Sequence, residues 1–179
     1  IYGTKVPLDL AKKYEAEKFI LVSTDKVVKP STIMGMTKNV AEKYVQHMAK
    51  SPGSTRFMSV RFGNVLGSNG SVAPLFWKQI LDGGPITITD PKMERYFMLI
   101  SEAAQLILQA TALGKGGETF ILEMGKPVKI LDLAKQMIHL AGYTPEKDIE
   151  IQILGARQGE KLTEEIIDDN ETFLPSSHE

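Results

Sequence analysis

The feature that most constrains this chain is a short, wholly apolar run at residues 19–22 that is followed at once by a polar cluster. Strands of a parallel sheet are covered on both faces and are therefore apolar throughout, whereas half-exposed strands alternate. A helical pattern at 3–17 precedes this run, and a second helix at 31–50 and a second strand at 55–60 follow it. Helix and strand thus alternate over the first third of the chain, as in a doubly wound parallel α/β sheet.

The rest of the chain continues the same alternation. We expect helices near 72–82, 101–113 and 130–141, strands at 86–88, 119–122 and 149–154, and a last helix that starts near Glu160. A Gly-rich loop, 63–70, follows the second strand. We predict a first domain over residues 1–66 and a second mainly over 67–179, with strand 119–124 returning to the first sheet.

Charge and composition exclude several classes of protein. With Lys+Arg 21 against Asp+Glu 22, the net charge of -1 provides no positive field that would gather nucleic acid. The absence of Cys excludes disulfides and thiolate metal sites, and three histidines disfavour a histidine-built metal centre. No apolar run approaches the roughly 18 residues that a membrane span needs. We therefore expect no metal and no nucleic-acid partner.

Polar clusters follow both of the first two strands, at Ser23 to Lys26 and at Arg61 to Asn64. Ligands of doubly wound sheets bind in the crevice at the carboxyl ends of the strands. Asp25 and Lys26 place a carboxyl and an amine side by side, which suits general acid and base work. Taken alone, an Asp-Lys dipeptide at a strand end is better interpreted as an exposed ion pair.

The cluster Ser23 to Lys26, followed by Met34 and Lys38, resembles the extended short-chain dehydrogenase/reductases. More narrowly, it is similar to the CapD-like polysaccharide biosynthesis proteins, which are UDP-N-acetylglucosamine 4,6-dehydratases. Four further motifs resemble that group in the same order: residues 61–72, 94–98, 124–128 and 155–161. Five ordered motifs are far more specific than one.

This resemblance implies a fold, and the sequence departs from the family's pattern in two respects. It implies the C-terminal half of a Rossmann-type doubly wound sheet, which is dinucleotide-binding, and a smaller α/β domain that binds the nucleotide sugar. The family's opening strand and glycine-rich phosphate turn do not occur in this sequence. Met34 stands at the usual position of the catalytic Tyr, and a thioether transfers no proton. Longer, membrane-anchored members are similar in carrying Met there, so we interpret it as a mark of that subgroup.

The resemblance also implies a reaction that oxidises C4 of a UDP-sugar, eliminates water across C5 and C6, and returns hydride to C6, with NAD or NADP as cofactor. Asp25 would protonate the leaving hydroxyl and Lys26 would take the C5 proton. Lys26 must then be neutral and Asp25 protonated, whereas an ion pair favours the opposite charges. Lys38 would bind the nicotinamide ribose, and Thr24 would orient the C4 hydroxyl. Thr24, Asp25 and, through a water, Lys38 remain equal candidates for accepting the C4 proton.

Further residues carry binding roles by the same resemblance. The cofactor-binding set is Ser23, Lys38, Phe62, Gly63 and Val65, and the substrate-binding set is Asn64, Ser71, Val72, Arg95, Arg157 and Glu160. Of the two arginines, Arg157 is the stronger candidate for the diphosphate. The implied protein is a cytoplasmic homo-oligomer, with an upstream region that can hold it at the cytoplasmic face of the inner membrane. A nucleotide-sugar 4-epimerase and a non-catalytic nucleotide-binding module are the alternative functions.

Overall fold

The computed structural model describes residues 1–177, which form two compact units. Unit 1 comprises Ile1–Phe62, Ser101–Glu123 and the segment from Glu165 onward, and unit 2 comprises Gly63–Ile100 and Met124–Glu164. The chain thus changes unit after Phe62 rather than after residue 66, and it returns to unit 1 twice. The binding role expected of each unit stays a prediction.

The helices and strands follow one another closely along the chain. In chain order they are α1 (Tyr2–Lys13), β1 (Lys18–Val22), a 3₁₀ turn (Asp25–Val27), α2 (Ile33–Ala49), β2 (Arg56–Arg61), β3 (Asn64–Val65), α3 (Val72–Leu81), β4 (Ile86–Ile88), β5 (Glu94–Arg95), β6 (Phe97–Met98), α4 (Ile100–Leu113), β7 (Thr119–Ile121), β8 (Val128–Lys129), α5 (Ile130–Leu140) and β9 (Ile151–Ile153).

Unit 1 is built on a parallel sheet of strand order β1-β2-β7, which confirms the predicted α/β class. All five residues of β1 pair with β2, ending at Val22 opposite Val60. Since β2 ends at Arg61, one residue past this pair, the chain leaves both strands at the same carboxyl end of the sheet. The core of this unit contains Leu8, Leu21, Ala41, Val45, Met48 and Phe57.

Helix α2 lies unusually close to the turn after β1. Thr32 caps the helix by accepting a hydrogen bond from the backbone N–H of Gly35 at 3.1 Å. A Cβ added at Gly35 would lie closer to the carbonyl oxygen of Lys26 than real Cβ atoms come to such a neighbour. Gly35 therefore allows the first turn of α2 to contact the backbone that carries Lys26.

Unit 2 contains three two-stranded pairs. β3 pairs with β6 and β4 with β9 in parallel, while β5 pairs with β8 in the antiparallel sense. The two-residue strands β3, β5, β6 and β8 lie where the sequence predicts no regular structure, since a two-residue strand is too short to show any periodicity. The core of this unit contains Phe76, Ile80, Ile86, Ile88, Met93, Ile130, Ala134, Ile138, Ile149 and Ile151.

The predicted helix near Glu160 is wrong, because the described residues beyond that position form no helix. The segment 165–171 instead returns to unit 1 and forms ion pairs there. Lys29 Nζ lies 2.7 Å from Glu165 Oε2, and Arg61 Nη1 lies 2.6 Å from Glu171 Oε2. Glu171 also accepts a hydrogen bond from the backbone N–H of Asp168 at 2.9 Å. These polar contacts replace the intrahelical hydrogen bonds that the sequence pattern predicted.

Replacing Gly35 with Ala tests the close approach of α2. We expect Gly35→Ala to lower the free energy of unfolding by about 1 to 3 kcal/mol, because the helix must move away from the Lys26 carbonyl. Gly3→Ala is a matched control, since Gly3 also lies in the first turn of a helix and nothing lies within 4 Å of its added Cβ. Urea unfolding measures both. Equal stability of the two variants would contradict the close approach.

The anchoring of segment 165–171 predicts a pH dependence. Hydrogen bonds from Arg61 hold the pKa of the Glu171 carboxyl below its ordinary value. A carboxyl shifted in this direction stabilises the fold above its unfolded-state pKa of about 4.3, and this contribution is lost as the pH falls.

We therefore expect Glu171→Gln to lower the free energy of unfolding at neutral pH by about 1 kcal/mol, since the carboxylate is partly exposed. The difference from the unaltered protein should shrink as the pH falls below about 4, where Glu171 itself becomes neutral. Urea unfolding of both proteins at neutral pH and below about pH 4 measures this difference. A difference that does not change with pH would attribute the loss to packing rather than charge.

Candidate functional site

The turn after β1 brings three predicted catalytic side chains together. Asp25 is fully buried, and its Oδ1 accepts hydrogen bonds from Thr24 Oγ1 at 2.8 Å and from Lys26 Nζ at 2.9 Å. The other oxygen, Oδ2, is buried and has no hydrogen-bond partner among the described residues. Buried carboxylate oxygens are rarely left without a partner, so Oδ2 is suited to receive a group from a ligand.

Helix α2 presents Met34 and Lys38 one turn apart. Met34 is about half exposed, at 48%, and its thioether offers no group for proton transfer. The ammonium group of Lys38 lies 3.5 Å from the carbonyl oxygen of Val22, the last residue of β1. The structure therefore places the Lys38 charge at the same strand end as Thr24 and Asp25.

Ser23 faces a different environment from its three successors. Its buried hydroxyl donates a hydrogen bond of 2.6 Å to Glu42 Oε2, which leaves only the oxygen lone pairs available to a cofactor. Its predicted role in binding a cofactor stays a prediction. The backbone of Asp25 is held by β2, because its N–H donates to the carbonyl oxygen of Phe62 at 3.1 Å, directly after that strand.

Sequence reasoning missed a buried ionic cluster beneath this turn. Glu42 in α2 is 2% exposed and Arg61 at the end of β2 is 4% exposed. Arg61 Nε donates to both carboxylate oxygens of Glu42, at 3.0 and 3.1 Å, and its two terminal nitrogens donate to Glu171. Burial opposes the charge of Arg61, but the bonds to Glu171 and Glu42 hold its pKa above the ordinary value. A signal was present in the sequence, since Glu42 lies one turn after Lys38 and beside the apolar stripe of the helix.

A polar cavity of about 300 Å³ opens beside this cluster in unit 1. Its lining comprises Val27, Val28, Asn39, Glu42, Lys43, Gln46, Arg61, Asp168, Asn170 and Glu171. Thr24, Asp25 and Lys26 are not among these residues, so the turn contributes only Val27 to the lining and the reactive side chains do not face this cavity.

Within unit 2, two predicted substrate-binding residues carry polar atoms that need a partner. Asn64 Oδ1 and Ser71 Oγ are both buried without a hydrogen-bond partner in the part of the chain that the structure describes. Ser71 stands at the N-cap of α3, yet its side chain does not cap the helix. The first backbone N–H groups of α3 therefore have no side-chain cap from Ser71, as at helix ends that bind phosphate.

Other predicted residues of unit 2 have structural contacts of their own. A Cβ at Gly63 would lie 3.0 Å from Tyr96 Cβ, so this glycine permits close packing. Val65 pairs with Met98 in the β3–β6 ladder, and Val72 packs against the core of the unit. The binding roles of Gly63, Val65 and Val72 stay predictions.

The two candidate diphosphate arginines differ sharply. Arg95 is buried, and its Nη1 donates to the carbonyl oxygens of Glu94 at 2.7 Å and Leu162 at 3.1 Å. A buried carboxylate, that of Glu164, lies 3.9 Å from its Nη2. Arg95 thus ties the chain at 162–164 to β5, and its guanidinium is already occupied by protein groups.

Arg157 is exposed, and no hydrogen bond or ion pair of its guanidinium occurs within residues 1–177. Its backbone N–H donates to Glu160 Oε2 at 3.1 Å, so Glu160 closes the turn between them. Glu160 Oε1 lies 3.4 Å from the hydroxyl of Thr89. The geometry favours Arg157 over Arg95 as the group that meets an anion.

The described residues contain neither a metal-binding cluster nor a membrane-spanning helix. No group of three or more His, Cys, Asp or Glu side chains within residues 1–177 is placed to hold a metal ion, and His178 lies outside those residues. None of the helices in that range combines the length and the hydropathy of a membrane span.

The chain matches curated proteins over part of their length. It is 56% identical over 171 residues to the capsular polysaccharide biosynthesis protein CapD of Staphylococcus aureus, covering 96% of this chain and 28% of CapD. It is 35% identical over 174 residues to the UDP-glucose 4-epimerase of Rickettsia massiliae, covering 96% of this chain and 49% of that enzyme. The chain therefore spans half or less of these relatives.

Solved structures share the fold. The X-ray structure of Pen from Bacillus thuringiensis matches with a TM-score of 0.86 at 37% identity, over 93% of this chain and 52% of that one. The dTDP-glucose 4,6-dehydratase from Bacillus anthracis, solved in complex with NAD, matches with a TM-score of 0.79 at 22% identity. That match covers 93% of this chain and 58% of the dehydratase, and it shows the fold alone.

A family model described as "Polysaccharide biosynthesis protein" matches residues 1–179. Because that match covers the whole chain and the solved neighbours share its sheet, the chain belongs to the polysaccharide biosynthesis protein family and has the extended short-chain dehydrogenase/reductase fold.

Proposed function

We propose that this chain forms part of a nucleotide-sugar 4,6-dehydratase that acts on a UDP-N-acetylhexosamine. The observation that carries the proposal is the buried carboxyl of Asp25, which bonds the Lys26 amine through one oxygen and leaves the other without a partner. Elimination of water across C5 and C6 requires a base at C5 and an acid at the C6 hydroxyl, held together on one ring.

The Asp25–Lys26 pair can reach its acting state without net proton uptake. In the ion pair, Lys26 carries a proton and Asp25 does not, so the net charge of the pair is zero. In the acting state Lys26 is a neutral amine and Asp25 carries the proton, and the net charge is again zero. The contact of 2.9 Å between Nζ and Oδ1 brings the two groups within proton-transfer distance.

Each group then has one role in the elimination. Lys26 takes the C5 proton, the electron pair of that C–H bond forms the C5–C6 double bond, and the C6–O bond breaks. Asp25 protonates the departing hydroxyl, which leaves as water. The pair ends the step as ammonium and carboxylate, the charges of an ion pair, and the proton count is closed.

Oxidation at C4 needs a separate proton acceptor, because Met34 cannot serve. Thr24, Asp25 and, through a water, Lys38 stay the candidates. The structure adds that Thr24 donates its hydroxyl hydrogen to Asp25 and accepts from the backbone N–H of Lys26 at 3.4 Å, which leaves one lone pair of the Thr24 oxygen to orient the C4 hydroxyl.

The binding residues fit a nicotinamide dinucleotide, NAD or NADP, and a UDP-sugar. Lys38 and the backbone of Phe62 in unit 1 would hold the dinucleotide, which supplies the hydride acceptor for C4 and the hydride donor for C6. The unpartnered atoms of Asn64 and Ser71 and the exposed guanidinium of Arg157 would hold the nucleotide sugar. Membership of the polysaccharide biosynthesis protein family, and the fold shared with a dehydratase solved with NAD, support this proposal.

A nucleotide-sugar 4-epimerase is the second candidate, because a relative at 35% identity is named UDP-glucose 4-epimerase. Epimerisation at C4 needs no acid or base at C5 and C6. A buried carboxyl paired with a lysine is therefore unexplained by the epimerase, and it favours the dehydratase. A non-catalytic nucleotide-binding module would retain neither group for chemistry.

Replacing Lys26 and Asp25 separates these functions. In the full-length protein, we expect Lys26→Ala and Asp25→Asn each to slow formation of the 6-deoxy-4-keto sugar by roughly 100- to 10,000-fold, since each removes a general acid or base. Oxidation at C4 should persist in Lys26→Ala, since Lys26 is not a candidate for the C4 proton, so single-turnover assays of that variant should show reduced cofactor accumulating. Lys115→Ala removes an exposed lysine of unit 1 and serves as the control.

Solvent deuterium gives a second measurement of the same step. Its incorporation at C5 should slow in Lys26→Ala and stay unchanged in Lys115→Ala. Wild-type amounts of dehydrated product from Lys26→Ala would exclude the dehydratase assignment of that residue. A product inverted at C4 that keeps its C6 hydroxyl would identify the enzyme as an epimerase.

The two arginines predict different consequences of the same substitution. We expect Arg157→Ala to weaken binding of UDP by about 2 kcal/mol, because a charge-assisted contact to the diphosphate is lost. We expect Arg95→Ala to lower the free energy of unfolding instead, because it removes the hydrogen bonds to the carbonyl oxygens of Glu94 and Leu162 and the positive charge beside the buried carboxylate of Glu164.

Titration calorimetry with UDP and urea unfolding measure the two effects in the full-length protein. Arg56→Ala is the control, since Arg56 is exposed at the opposite end of β2 from Arg61. An unchanged UDP affinity in Arg157→Ala would remove this residue from the site.

A further inference from the structure

The turn that carries Asp25 and Lys26 is fixed between two strand ends of unit 1. The backbone N–H of Ser23 donates to the carbonyl oxygen of Val60 at 2.8 Å, and that of Asp25 donates to the carbonyl oxygen of Phe62 at 3.1 Å. Pairing between β1 and β2 thus continues beyond the last residue of β1. The position of Asp25 depends on the relative position of the two strand ends.

One buried carboxylate, that of Glu42, joins the ends of β1 and β2. Glu42 accepts a hydrogen bond from the Ser23 hydroxyl at 2.6 Å and bonds the Arg61 guanidinium at 3.0 and 3.1 Å. Ser23 and Arg61 each lie one residue before a group that holds the turn: Ser23 precedes Thr24, and Arg61 precedes Phe62. The Glu42 side chain therefore links the ends of β1 and β2 through residues that adjoin Thr24 and Phe62.

The same helix face reaches the turn at three points. Gly35, Lys38 and Glu42 are spaced three and four residues apart, so they share one face of α2. Gly35 contacts the Lys26 carbonyl, Lys38 the Val22 carbonyl and Glu42 the Ser23 hydroxyl. Of these three residues, Glu42 is the one that also forms an ion pair with Arg61.

The segment 165–171 completes the cluster. Arg61 has donors left after binding Glu42, and Glu171 accepts two of them in a bidentate pair, Nη1 to Oε2 and Nη2 to Oε1, each at 2.6 Å. Lys29, at the other end of the turn, lies 2.7 Å from Glu165 Oε2 and 2.9 Å from Asp169 Oδ2. The segment is thus anchored both to Lys29, three residues after Lys26, and to Arg61 at the end of β2.

A buried ionic cluster is an expensive way to stabilise a fold. Taking charges out of water costs several kcal/mol per ion, and apolar residues of similar size often stabilise a core as well or better. A purely structural role does not explain why the charges lie at the ends of the two strands beside the reactive turn. A requirement for one fixed geometry there does explain it, because bidentate and charge-assisted bonds are directional.

We infer that Glu42, Arg61 and Glu171 are positioning residues, which hold the turn so that Asp25 and Lys26 keep their mutual contact and face one substrate. None of the three bonds the Asp25 or Lys26 side chain within the described residues; they act through Ser23 and through the backbone of β2. The inference rests on the proposed function for its effect on turnover. Its effect on the Asp25–Lys26 contact is independent of which sugar reaction the protein performs.

The test uses Glu171→Gln and Glu42→Gln in the full-length protein, with Asp9→Asn as the control. Asp9 is also in unit 1 and its carboxylate pairs with Lys5 and accepts a bond from Tyr44, but it is exposed on α1 and lies far from the turn in sequence. Each change replaces a carboxylate by its amide. Glu171 is partly exposed and keeps the test possible if Glu42→Gln does not fold.

The first measurement determines kcat and KM separately for the dehydration. We expect both Gln variants to lose tenfold or more in kcat with KM within threefold of wild type, and Asp9→Asn to keep both constants. The second readout is the rate at which trinitrobenzenesulfonate labels Lys26, measured by mass spectrometry. We expect labelling to rise at least threefold in the Gln variants, because a loosened turn separates Lys26 from Asp25, while labelling of Lys115 stays constant.

The outcomes are distinguishable. Unchanged kcat and unchanged Lys26 labelling in folded Gln variants would overturn the inference, and so would a loss of kcat no larger than the loss of folded protein. A wild-type protein without dehydratase activity, whose Lys26 labelling still rises in Glu171→Gln, would end the proposed function and leave the positioning role standing. A wild-type protein without dehydratase activity, together with unchanged Lys26 labelling in the folded Gln variants, would end both the proposed function and the positioning role.

Discussion

The carboxylate of Glu42 is the buried charge on which the end of the first sheet depends. It accepts from the Ser23 hydroxyl and from Arg61, so one side chain of α2 joins the end of β1 to the end of β2. An uncompensated charge at this depth would cost several kcal/mol, and Arg61 supplies the compensation. Arg61 in turn needs Glu171, which brings a segment more than a hundred residues away to the same strand end.

Close packing of α2 sets the geometry of the reactive turn as much as charge does. Gly35 has no side chain, and this lets the first turn of the helix contact the carbonyl of Lys26. The following turns then place Lys38 and Glu42 along the end of β1. Because a helix is rigid, the one close contact at Gly35 fixes the depth at which the other two groups reach the strand end.

The chemistry follows from what these contacts leave unsatisfied. Asp25 has one oxygen bonded to Thr24 and Lys26 and one buried oxygen without a partner, and unit 2 carries buried atoms of Asn64 and Ser71 in the same condition. Native proteins rarely leave such atoms unbonded, so they indicate where a polar ligand contributes. Membership of the polysaccharide biosynthesis protein family agrees with a nucleotide sugar as that ligand in our proposal.

The sequence by itself determined the parallel α/β fold, because the apolar run 19–22 between helical patterns can be satisfied in few other ways. It also made Asp25 and Lys26 candidates, since charges that directly follow an apolar strand are conspicuous, and their catalytic roles stay a prediction. Only the tertiary structure decided the partners of Glu42 and Arg61, and it replaced the helix expected near Glu160 by an anchored segment. Hydrophobic periodicity is local and can be read along the chain, whereas an ion pair between residues 110 positions apart has no local pattern and forms only when the fold brings its members together.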